Sequence, residues 1–106
     1  DLLLNGREEI RGWFTRRQGL ERRVSRHICT NIAVELLSPT EAQSLCYLVN
    51  ERHDRAEGDL TMPAPGDVPK FVGECHDGFR LTDEGWRFTR RKVELAFVRP
   101  SRPRAK

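Results

Sequence analysis

The sequence predicts a single α+β domain, in which one helix is followed by a curved antiparallel sheet of about four long strands wrapped around it. Three observations carry this. Ile10, Trp13 and Phe14 fall at i, i+3, i+4 and make one apolar helical face. Residues 28–36 then alternate at period two, as a half-buried strand does. In the last apolar segment the alternation changes phase. Trp86 and Phe88 are even-numbered, whereas Val93, Leu95 and Phe97 are odd. One extra residue in a strand produces such a slip and bends the sheet.

The helix is expected from about Gly6 to Gln18. Asn5 is its cap, and Glu8, three residues on, would complete a capping box. Arg16 and Arg17 suit the negative end of the helix dipole, and Gly19 provides a stop. In the first strand Ile28, Thr30, Ile32, Val34 and Leu36 share one face, with His27, Cys29, Asn31 and Ala33 on the other. Ser38-Pro39-Thr40 turns the chain into a second strand from about Gln43 to Arg52.

The segment from His53 to Pro69, with three prolines and two glycines, is long for a hairpin loop. It reads equally as a functional lid and as a plain surface excursion. The third strand is expected from about Lys70 to Leu81, a tight turn at Asp83-Glu84-Gly85, and the fourth from about Trp86 to Arg99. The bulge belongs between Thr89 and Lys92. A sheet bent in this way around a helix forms a cone with a ligand pocket on its concave side.

A chain of 106 residues supports one small core. The domain is expected over residues 1–99, with a basic, disordered tail over 100–106. Arg102, Arg104 and Lys106, three of the 19 basic residues, account for the whole excess of +3 over 16 acidic ones. The folded part is therefore neutral, which argues against nucleic acid as a partner. No apolar run approaches a membrane span, and no signal peptide is visible, so no membrane role is expected. The chain opens at Asp1, which fits a fragment, a processed product or numbering that starts inside a longer protein.

Cys29, Cys46 and Cys75 are odd in number and widely spaced. That is no disulfide framework, and a reducing, cytoplasmic location follows. No metal site and no cofactor are expected. His27, Cys29, Cys75 and His76 lack the short C-x-x-C spacing of zinc sites, and the thiols read as small apolar residues.

Three stretches, GREEIRGWF, RHICTNIAVEL and GECHDGFRLTDEGWRFTRRKVELAFV, resemble the nuclear transport factor 2-like superfamily in its SnoaL-like branch. The resemblance runs from about Gly6 to Val98. It implies a cone-shaped α+β barrel, here truncated, and commonly a homodimer through the outer face of the sheet. Members include dehydratases, dehydrochlorinases, isomerases, cyclases and hydroxylases acting on small apolar molecules. Others only bind ligands or act as scaffolds, so the fold does not settle the function.

The resemblance also implies a role for His27. It matches the histidine of an H-x-x-TN stretch that serves as general base in dehydrochlorinase and dehydratase members, and imidazole chemistry suits that task. A hydrogen-bonded histidine at a strand edge is the plainer alternative. In those members an aspartate on an N-terminal helix orients the histidine, and this sequence begins after that helix. His27 is therefore expected to line a pocket without an Asp or Glu partner in its own chain, and this form to be nearly inactive.

Asn31, Tyr47 and Trp13 complete the candidate ligand-binding set. Asn31 offers an amide and Tyr47 a hydroxyl, while core packing is the simpler role of Tyr47 and Trp13. His53 and Asp54 read as solvated. His76 and Asp77, adjacent on a strand, point to opposite faces. Two functions remain. One is a cofactor-independent dehydration, elimination or isomerisation with His27 as base. The other is a non-catalytic ligand-binding or dimerisation module. Ile28, Ile32, Val34, Leu45, Val93, Leu95 and Phe97 exceed what one helix can cover, which favours a homodimer.

Overall fold

The computed structural model describes residues 2–100. Residues 101–106, on which most of the expected tail falls, lie outside the described residues. Helix α1 spans Gly6–Gln18, as its periodicity predicts. The Glu9 carboxylate, rather than Glu8, accepts the backbone N–H of Asn5, and the Asn5 side chain makes no capping bond.

The strands are β1 (Arg23–Ser38), β2 (Glu41–Asp54), β3 (Phe71–Thr82) and β4 (Gly85–Val98). They form one antiparallel sheet in the order β1-β2-β3-β4. Each joins its neighbour through the turn or loop the composition marks. At the β3–β4 turn Gly85 takes φ +101°, which favours glycine. Thr82 donates its hydroxyl to the Gly85 carbonyl (2.8 Å) and accepts the Glu84 N–H (3.2 Å). The long loop is tied down at both ends. Arg55 donates to the Glu21, Arg22 and Thr61 carbonyls, and Arg99 to those of Val68 and Arg52. Asp54 pairs with Arg23 at 2.8 Å, where the sequence reading leaves it solvated.

Four register shifts shape the sheet among the described residues, one of them at the end of β1, where Leu37 is the extra residue between Leu36↔Ala42 and Ser38↔Glu41. In β4, Thr89 is the extra residue between Phe79↔Phe88 and Gly78↔Arg90, at the near end of the expected window. It brings Trp86, Phe88, Val93 and Leu95 to one face despite their change of parity. Ala96 is a second extra residue, between Gly73↔Leu95 and Val72↔Phe97, and it sends Phe97 to the opposite face. In β1, Asn31 and Ile32 together fill the gap between Thr30↔Tyr47 and Ala33↔Leu45. Asn31 adopts φ +53° there, a conformation asparagine tolerates better than most side chains.

The β1 bulge corrects one expectation. Ile28 and Thr30 do not share a face with Val34 and Leu36. The register places Val34 and Leu36 with His27 and Cys29, because two residues oppose one at the bulge. The sheet thus has a His27 face and a Tyr47 face. The buried residues Ala42, Cys46, Leu48, Asn50, Cys75 and Asp77 all lie on the His27 face of the two central strands, with Phe71 packed beside them.

The helix corrects another. No Cα of α1 lies within 8 Å of a strand Cα, so the sheet does not wrap around the helix, and it stays curved and unclosed rather than a cone. Ile10 is exposed and Phe14 is 54% exposed. The apolar stripe is narrow, flanked by charges, and partly satisfied within the helix. Trp13 meets Phe14 edge-on (centroids 5.0 Å apart) and carries the Arg17 guanidinium 4.4 Å from its ring centroid. The described chain extends 54 × 28 × 27 Å.

Candidate functional site

His27 projects from β1 opposite Asn50, on the apolar face of the sheet. Its ring is solvent-exposed and lies 6.2 Å from the Phe71 ring centroid, inclined by 56°. Among the described residues no hydrogen bond or ion pair holds the imidazole. Asn50, only 2% exposed, donates its amide to Ser25 Oγ (2.9 Å) and the Arg26 carbonyl (3.3 Å). Those bonds pin the β1 backbone beside His27. Cys29, Leu48 and Phe71 lie beside His27 on the same face.

The four candidate residues are not gathered in one cavity. Tyr47 differs in parity from Asn50 along an unbroken β2 register, so it points to the face opposite His27. Asn31 sits at the bulge between them, and Trp13 lies on the undocked helix. A cavity of about 570 Å³ lies elsewhere. Its lining includes Glu35, Gln43, Leu45, His76, Arg90 and Glu94, mostly on the Tyr47 face.

Two polar constellations support the sheet. On the His27 face Arg91 donates to both oxygens of Asp77, and this bond raises the Arg91 pKa. Beside it, Cys46 lies directly across from Cys75, with Cys29 one strand away. All three thiols are free. Burial first, with Cys46 and Asp77 adding to it and Arg91 opposing, pushes the Cys75 thiol up to about 11. Burial and Cys46 also raise Cys29. The Cys29 and Cys75 thiols therefore resist ionisation, and Cys46 and Cys75 are buried as small packing residues.

The second constellation, on the Tyr47 face, escapes sequence reading. Glu74 stands opposite Glu94 and His76 opposite Lys92. His76 Nε2 lies 3.2 Å from Glu74 and 3.7 Å from Glu94, and Lys92 Nζ lies 3.1 Å from Glu94. The Lys92 hydrogen bond, then the Lys92 and His76 charges, hold the Glu94 carboxyl below the ordinary carboxylate value. Spacing shows that Glu74 and His76 share a face. Only the β3–β4 register, set by the turn at Gly85 and the Thr89 bulge, brings Glu94 to them. His76 and Asp77 do lie on opposite faces, as alternation predicts.

A family model described as the SnoaL-like domain matches residues 2–92, most of the chain. The chain belongs to the SnoaL-like family. With it comes membership of the nuclear transport factor 2-like superfamily, consistent with the helix and four-stranded antiparallel sheet. Membership suggests a small-molecule-binding or isomerase/lyase type of function for this SnoaL-like domain and specifies no activity. No curated protein matches the chain. Among the described residues no helix is long and apolar enough to cross a membrane.

Proposed function

We propose that this SnoaL-like domain binds a small apolar molecule on the His27 face, with His27 as general base of a cofactor-independent dehydration, elimination or isomerisation. The carrying observation is the imidazole itself, placed beside Phe71 on the apolar face with no hydrogen-bond or ion-pair partner among the described residues. A base needs an accessible lone pair close to the carbon it deprotonates. The three free thiols support a cytoplasmic setting.

The domain works as a homodimer in this reading. Ile28, Val49, Val72 and Phe97 form a continuous row across the Tyr47 face, with Tyr47 and Leu45 beside it. Phe97 is 72% exposed, and Ile28, Leu45 and Tyr47 are exposed as well. An apolar patch of this kind marks an interface, and two-fold pairing is its commonest use. Bulges split the seven residues expected to form one patch. Ile28, Leu45 and Phe97 lie on this face, Val34, Val93 and Leu95 on the other, and Ile32 at a bulge.

A second reading, a ligand-binding or dimerisation module without catalysis, is favoured by the lack of a carboxylate on His27 among the described residues. Without one, neither tautomer nor imidazolium is stabilised, and turnover is expected to be weak. Deuterium incorporation next to the carbonyl of cyclic ketones in D2O, followed by NMR, separates the two. The first reading expects exchange above buffer that His27→Ala abolishes. Ketone binding with no exchange in either form would establish the second.

A further inference from the structure

We propose that Glu74, His76 and Glu94 form a binding site for a divalent transition-metal ion, independent of His27 and on the opposite face of the sheet. One ligand atom from each residue lies within 4.8 Å of the other two. An ion bound at about 2.0–2.2 Å to nitrogen and oxygen needs its ligands roughly 3–4 Å apart. The His76 Nε2 to carboxylate distances of 3.2 and 3.7 Å are therefore already those of a coordination shell. Small rotations about side-chain bonds suffice to close it.

Strand pairing sets the positions of the three residues. Glu74 and His76 alternate on β3, and Glu94 is the direct cross-strand partner of Glu74. Like charges directly opposite each other destabilise a sheet. An ion between the two carboxylates removes that repulsion, and His76 supplies the nitrogen. Lys92 holds the other oxygen of Glu94, Oε1, at 3.1 Å, leaving Oε2 toward His76. It thus orients a ligand from outside the shell. One imidazole and two carboxylates suit zinc, manganese, iron or cobalt better than calcium, which prefers oxygen alone.

Three protein ligands leave further coordination positions for water or a bound molecule. His76 and Glu94 both border the 570 Å³ cavity, so those positions open onto it. The cysteines form no competing cluster of this compactness among the described residues.

The test is calorimetric titration of chelator-treated protein with Zn²⁺ and Mn²⁺ near pH 7, with Ca²⁺ for comparison. One transition-metal ion per chain is expected, weakened at least tenfold by His76→Ala and by Glu94→Gln and unchanged by Cys29→Ser or His27→Ala. In the unsubstituted protein, substoichiometric Mn²⁺ should broaden the His76 ring resonances before those of His27 and His53. Heats no larger than dilution would overturn the proposal, as would affinity indifferent to His76→Ala or lost with Cys29→Ser, or equal broadening of all three histidines. Because His27→Ala serves in both experiments, failure of this site and failure of the His27 reading are told apart.

Discussion

Asp77 accepts two hydrogen bonds from Arg91, at 2.8 and 3.0 Å, with only 3% of the Asp77 side chain exposed. The fork lies across β3 and β4 two residues from Cys75, at the centre of the small core. Arg91 also covers Phe88, its guanidinium 4.9 Å from the ring centroid. Removing Arg91 would strand a buried carboxylate, which costs more than the pair itself contributes. Arg91→Ala is expected to lower stability by about 3 kcal/mol in urea unfolding. Asp77→Asn, which keeps the shape and removes the charge, should cost less.

Of the glycines in the strands, Gly73 leaves the least room for a side chain. A Cβ there would run into the Glu94 carbonyl oxygen, which is backbone and cannot swing away. Gly73→Ala should push β4 outward at the Ala96 bulge and cost about 2 kcal/mol. Gly78→Ala meets only the Thr89 hydroxyl, a side chain, and should cost less. Parallel melts of the two variants measure the difference.

The β1 bulge gives a third test. Asn31 holds φ +53°, where glycine is free and a β-branched residue is strained. Asn31→Gly should leave the melting temperature nearly unchanged, whereas Asn31→Val should cost about 1–2 kcal/mol. Equal stability of the two would place the register shift somewhere other than Asn31.

Stability should fall at both ends of the pH scale. The Arg23 hydrogen bond first, with the Arg23 and Arg52 charges, holds Asp54 below its ordinary value of 3.8. The unfolded chain binds that proton more tightly. Its contribution is complete above about pH 4 and is lost as pH falls through the native value. Asp54→Asn should flatten the acid limb. Cys75 behaves in reverse. Its thiol ionises near 11 in the fold against 9.0 ordinarily, so stability is lost as pH rises between about 9 and 11. Cys75→Ala should flatten that alkaline slope.

Helix α1 and the Thr89 slip were legible because both are local. A 3.6-residue stripe and a change of parity are written along the chain. The Asn31 bulge left a fainter trace, one asparagine inside a run of β-branched residues, while the even-numbered apolar residues continued through it and mimicked an unbroken strand. Glu74, His76 and Glu94 could not be grouped from spacing, since their meeting depends on the cross-strand register. The undocked helix was not legible either. Ile10, Trp13 and Phe14 show that it is amphipathic, but not which surface receives it. The His27 assignment came from resemblance, and the face it occupies came from pairing with Asn50.

The most direct test of the account is where a small apolar molecule binds. Two-dimensional ¹H–¹⁵N NMR of the labelled protein, titrated with cyclohexanone and with toluene, reads this residue by residue. Saturable shifts are expected at His27, Cys29, Leu48 and Phe71, with little change at Leu45 and Tyr47 on the other face. Shifts confined to Leu45 and Tyr47, or no saturable shift anywhere, would contradict it.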